Sequence, residues 1–147
     1  MDDFLTSEAA LSDFVHLFET AHLPRERWTH GAHVAIAALY LRRYAYGVLP
    51  KVRTAIRRHN RAVGTPANAY HETLTIFWLA VVDDFLQGAD CATDLDAVRL
   101  AVEEFGEQRR LHGEYCGFDV VKSDAARGRW LKPDLKPLEV RFILTAY

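Results

Sequence analysis

The sequence is poor in sulfur and shows no excess of charge. Two cysteines occur among 147 residues, Cys91 and Cys116, and they form no CxxC pair. No disulfide framework is suggested, and reduced thiols in a cytoplasmic protein are the simplest reading. Lysine and arginine number 18 against 20 aspartates and glutamates, for a formal net charge of -2. Without a basic excess nothing invites nucleic acid, and no acidic tail points to a charged partner. No apolar run reaches the roughly 18 residues of a membrane helix. The longest candidate, Leu74 to Leu86, is broken by Asp83-Asp84. Met1-Asp2-Asp3 lacks the basic start and apolar run of a signal peptide. Internal repeats, low-complexity segments, a GxSxG elbow, an HExxH helix and a glycine-rich phosphate loop are all missing. Neither cysteine has a histidine placed to activate it.

Half of the residues are hydrophobic and 12% are aromatic, enough to bury a core in one ordered domain over 1–147. The apolar residues recur at helical spacing. Leu11, Phe14, Val15, Leu17 and Phe18 predict a first helix over Ser7–Ala21, broken at Leu23-Pro24. A second helix runs from His30 to about Tyr44 behind a Thr29 cap, its inner face carrying Val34, Ala37, Ala38 and Leu41. Gly47 ends it, and Pro50 suits the first turn of a basic third helix over Lys51–Val63 that stops at Gly64. A fourth spans about Tyr70 to Leu86 with the stripe Leu74, Trp78, Val81 and Phe85. Asp94 caps a fifth that buries Leu95, Val98, Val102 and Phe105. Short helices fit Gln108–Tyr115 and Asp124–Leu131, the latter capped by Ser123. Lys132 to Leu138, with two prolines, must be extended. The apolar end from Val140 suits a strap, a strand or a partner contact. The fold class is all-α: a single-domain bundle of four or five helices with an irregular, extended C-terminal segment.

Chemistry concentrates at two helix starts. His30 and His33, spaced i, i+3 behind Thr29, share a face, and the positive helix N-terminus favours neutral imidazole, the form a metal binds. Some forty residues later His71-Glu72 opens the fourth helix. His71 shares the stripe of Leu74, Thr75 and Trp78 and should point inward, where a buried imidazole needs a partner. Glu72 is a fourth ligand, a group that orients an imidazole, a general base, or an acid favoured by the helix dipole alone. One capping and one surface histidine would account for His30 and His33 equally well.

The remaining polar residues divide less clearly. His16 is expected to be structural, His22 to sit on a surface loop, and His59, within Arg57-Arg58-His59-Asn60-Arg61, to be solvated. His112 is within reach of a site, but nothing compels it. Arg53, Arg57 and Arg61 form a stripe suited to a phosphate or carboxylate, or, as is more usual, a solvated face that pairs with acids such as Asp83, Asp84, Glu103 or Glu104. Asn60, between Ile56 and Val63, is expected to turn inward and join Asn68, Tyr70 and Trp28 as ligand-binding groups. Tyr40 and Tyr44 are cleft walls or core.

Four strings together resemble a family of small bacterial proteins known only as hypothetical proteins. They are Leu-Pro-x-x-x-Trp-Thr-His-x-x-His (Leu23 to His33), Asn-x-x-x-Gly (Asn60 to Gly64), Tyr-His-Glu-Thr-Leu-Thr (Tyr70 to Thr75) and Pro-Asp-Leu-x-Pro-Leu (Pro133 to Leu138). The connection before Tyr70 is shorter than the Asn-Thr-Asp-like stretch of that family. The resemblance implies a shared fold and a shared pocket, but no reaction and no cofactor.

The expectation is a divalent-metal site, zinc or another late first-row ion, held by His30, His33, His71 and Glu72, with Glu72 also the candidate catalytic base. Metal-assisted hydrolysis, or a lyase reaction, of a small molecule would follow. Two alternatives stand beside it. In one, the same residues line a metal-free pocket for a small ligand. In the other, the histidines only cap and pack helices in a structural or interaction protein, with homo-oligomerisation open.

Overall fold

The computed structural model describes residues 2–143. Among them there is no strand, and the architecture is an α-helical bundle. Five long helices carry it: α1 (Glu8–Glu19), α2 (His30–Tyr44), α3 (Val48–Ala62), α4 (Glu72–Gln87) and α5 (Asp94–Phe105). Two short ones, α6 (His112–Tyr115) and α7 (Asp124–Gly128), sit in the C-terminal third. None of the described helices is long and apolar enough to cross a membrane.

Hydroxyl caps set most helix starts. Ser7 accepts from the Ala10 N–H at 3.0 Å, Thr29 from Ala32 at 3.1 Å and Ser123 from Ala126 at 3.1 Å. The cap of α5 is Thr93, which accepts from the Asp96 N–H, so Asp94 is the first helical residue instead. There its carboxylate still meets the positive end of the helix and pairs with Arg42 at 2.7 Å. At the end of α3 Gly64 takes φ +77°. The Thr65 N–H reaches the Asn60 carbonyl and the Gly64 N–H reaches that of Arg61, as in a Schellman motif.

Helix α2 is the centre of the bundle. Every residue from Val34 to Leu41 is buried, not only the four on the expected inner face. A helix that is apolar all round has to be enclosed, and α3, α4 and α5 pack around it. Its alanines at 32, 35, 37 and 38 let those neighbours approach closely. Tyr40 and Tyr44 meet edge to face, and Tyr40 is core rather than cleft wall, its hydroxyl donating to Glu19 of α1.

The last described residues are a strap. Arg141 reaches Asp83, Asp84 and Glu139 at 2.9–3.1 Å, and Phe142 beside it is fully buried. The strap option for the apolar end thus holds as far as residue 143, and residues 144–147 lie outside the described part.

At the α2–α3 corner Ala45 has φ 49° and ψ -123°, a conformation that suits glycine. Replacing Ala45 by Gly relieves that strain, less the entropy the unfolded chain gains. The expected stabilisation is about 1 kcal/mol, a rise in Tm of roughly 2–4 °C by differential scanning calorimetry. An unchanged or lower Tm contradicts the strained corner.

Candidate functional site

The two histidine-bearing helix starts open onto one cavity of about 480 Å³. Its walls are apolar: Ile36 and Ala37 of α2, Val52 and Ile56 of α3, Leu74, Trp78 and Leu79 of α4, and Val121. Its polar groups come from Trp28, His30, His33, Asn60, Thr65, Tyr70, His71, Thr75, Arg109 and His112. A cavity of this size with a small polar set is the usual form of a small-molecule site.

The Thr29 cap positions the first pair. Its carbonyl accepts the Nδ1–H of His33 at 2.8 Å. A carbonyl only accepts, so the proton sits on Nδ1 and Nε2 keeps its lone pair. The His33 ring lies 3.9 Å from that of Trp28, which stacks on Phe18 at 4.6 Å. His30 donates Nε2–H to the Phe105 carbonyl at the end of α5, 3.1 Å away, and meets Trp78 edge to face. Its Nδ1 is then the acceptor.

His71 is used differently. It precedes α4 as the N-cap and is not within the helix. Its Nδ1 accepts from the Leu74 N–H at 3.1 Å, and its Nε2–H donates to the Val120 carbonyl at 2.8 Å. Both ring nitrogens are engaged, so with these bonds in place His71 has no lone pair for a metal. Its ring does line the cavity. The bond to Val120 also ties the segment between α6 and α7 to the start of α4.

Glu72 turns away from the cavity. It is 5% exposed and receives a two-pronged bond from Arg53, with Nε at 3.1 Å and Nη2 at 2.5 Å. The Tyr70 hydroxyl donates to the same carboxylate at 2.7 Å. A buried carboxylate needs such compensation, and here it is covered by a guanidinium and a phenol. The bond to Glu72 raises the pKa of Arg53. Burial first, then the carboxylate, raises that of Tyr70.

The structure therefore brings together six of the eight expected site residues: Trp28, His30, His33, Asn60, Tyr70 and His71. Glu72 lies behind the wall in an ion pair, and Asn68 is exposed and off the cavity. Among the described residues no group of three or more His, Cys, Asp or Glu side chains is placed to hold a metal ion.

Several expectations about single residues change. Arg53 pairs with Glu72, whereas Asp83 and Asp84 pair with Arg141. Arg57 covers the Tyr70 ring at 4.6 Å. His59 is not solvated but 0% exposed, packed near Phe18 and Trp28 with no hydrogen-bond partner among the described residues. The reason is helical phase. His59 follows Val52 and Ala55 on the buried face of α3, and the arginines around it take the outer face. Arg109, Trp78 and Thr75 also belong to the lining, and His112 does reach it. Trp78 was legible as core. Arg109 carried no local signal.

No family model, curated protein or solved structure matches the chain.

Burial lowers the pKa of all four cavity histidines, His30, His33, His71 and His112. For His33 it falls to about 4, against the opposing pull of the Thr29 carbonyl and with the aid of nearby His30 and His59. In the unfolded chain the value returns to about 6.5. Between these values the unfolded state binds more protons, so stability is full above pH 6.5 and is lost as the pH falls toward 4. Calorimetric proton uptake on unfolding near pH 5 should be about one proton per molecule smaller in His33→Gln than in the wild type. Equal uptake in the two proteins contradicts a neutral, partly buried His33.

Proposed function

We propose that the chain binds a small, mainly apolar organic molecule in the 480 Å³ cavity, without a metal. One observation carries the reading: five residues singled out at two distant helix starts, together with Asn60 near the end of α3, converge on a single apolar-walled cavity. The His33 Nε2 and the His30 Nδ1 are neutral acceptors there, suited to a hydroxyl or N–H of the ligand. The indole of Trp78 and the Leu74 and Leu79 side chains provide contact area for a flat ring. Engagement of both His71 nitrogens and of Glu72 favours this over the four-ligand metal site.

The test is an NMR titration with 2-naphthalenemethanol, a neutral ring with one hydroxyl. Saturable shifts confined to Trp78, His33, Thr75 and their neighbours are expected, with Kd on the order of a millimolar or tighter. Absence of saturation, or shifts away from the cavity, overturns the reading. A parallel titration with zinc keeps the rival in view. Stoichiometric perturbation of His30, His33 and His71 together overturns the metal-free assignment.

A further inference from the structure

The charge lining the cavity is of one sign. Among the described residues no aspartate or glutamate lines it, and burial favours the neutral form of its four histidines. Among the described residues Arg109 is the one formally charged side chain on its wall. Most arginines near the bundle surface are already committed. Arg42 holds Asp94, Arg53 holds Glu72, Arg127 holds Asp124, Arg141 holds Asp83, and Arg99 donates to the Leu5 carbonyl. Arg109 forms no hydrogen bond or ion pair among the described residues, and its charge bears on His30 beside it.

Its position gives that cation a direction. Arg109 and His30 line both the 480 Å³ cavity and a neighbouring cleft of about 960 Å³. On the cleft side stand three acids, Asp2, Glu103 and Glu107, against one further cation, Arg99, which is held on the Leu5 carbonyl, so the balance there disfavours an anion. Among the described residues no acid lines the cavity side, and the buried Glu72 behind its wall is neutralised by Arg53. An anion drawn to Arg109 is therefore stabilised on the cavity side. His30 is fixed at the partition by its bond to the Phe105 carbonyl, so it stays as a wall between the two spaces.

Resting on the ligand-binding reading of this cavity, we propose that its ligand is a carboxylate with an apolar, ring-sized body, anchored by Arg109. A planar guanidinium matches a carboxylate in a two-pronged bond. One cation with no second one on the lining suits a monoanion better than a phosphate dianion. The apolar body lies against Trp78, Leu74 and Leu79, and the far end of the ligand meets the neutral His33 Nε2 with a donor.

Isothermal titration with matched probes tests this: 2-naphthoate and its neutral counterpart 2-naphthalenemethanol, each against the wild type, Arg109→Gln and the control Arg110→Gln, which is exposed like Arg109 but off the lining. The naphthoate should bind the wild type and Arg110→Gln about tenfold more tightly than the alcohol. In Arg109→Gln that advantage should vanish while the affinity for the alcohol stays within about twofold. If the alcohol binds but the naphthoate gains nothing in the wild type, or keeps its gain in Arg109→Gln, the anchor is wrong and the cavity reading survives. If neither probe binds, the cavity reading itself fails and this inference falls with it. Circular dichroism of each variant confirms that the fold is intact.

Discussion

Thr29 holds the point on which the site depends. Its hydroxyl accepts the Ala32 N–H and starts α2, and its carbonyl accepts the His33 ring. Because α2 is enclosed by three other helices, its rotation and depth are fixed by core packing. The directions of His30 and His33 are therefore not free to drift. They follow from a buried helix that begins at one defined residue. Trp28, immediately before the cap, is stacked on Phe18 and closes the same corner.

The opposite wall uses the same device with a different residue. His71 caps α4 with its own ring and spends its remaining nitrogen on the Val120 carbonyl. An imidazole that caps a helix is a structural group even where its edge lines a cavity. Next to it Glu72, Arg53 and Tyr70 form a compensated set behind the wall. Removing one partner from such a set leaves a buried charge uncovered, at a cost of roughly 3–5 kcal/mol. The arrangement keeps a carboxylate close to the cavity yet out of its lining, which is why the cavity carries neutral acceptors and one cation.

Much of the bundle was legible in the sequence because its signals were local. The Ser7, Thr29 and Ser123 starts, the Gly64 stop and the apolar stripes each depend on residues within a turn or two. The full burial of α2 was less legible, because its alanines read as a narrow face and not as contact surface on every side. At the site, helix phase made the shared face of His30 and His33 legible, but the meeting of Trp28, His30, His33, Asn60, Tyr70 and His71 depends on how α2, α3 and α4 pack together. What a residue does there depended on partners far along the chain. Glu72 meets Arg53, 19 residues away, and His71 meets Val120, 49 residues away. Arg109 lies in a stretch with weak periodicity, so only the tertiary fold brings it to the cavity.

The central claim is that the cavity presents neutral imidazoles whose proton positions are dictated by backbone carbonyls. Long-range ¹⁵N–¹H correlation of the histidine rings reads this directly. The account requires His33 as the neutral Nδ1–H tautomer at pH 6 and the neutral form of His71 as the Nε2–H tautomer. A His33 ring that is Nε2–H, or already an imidazolium at that pH, contradicts it.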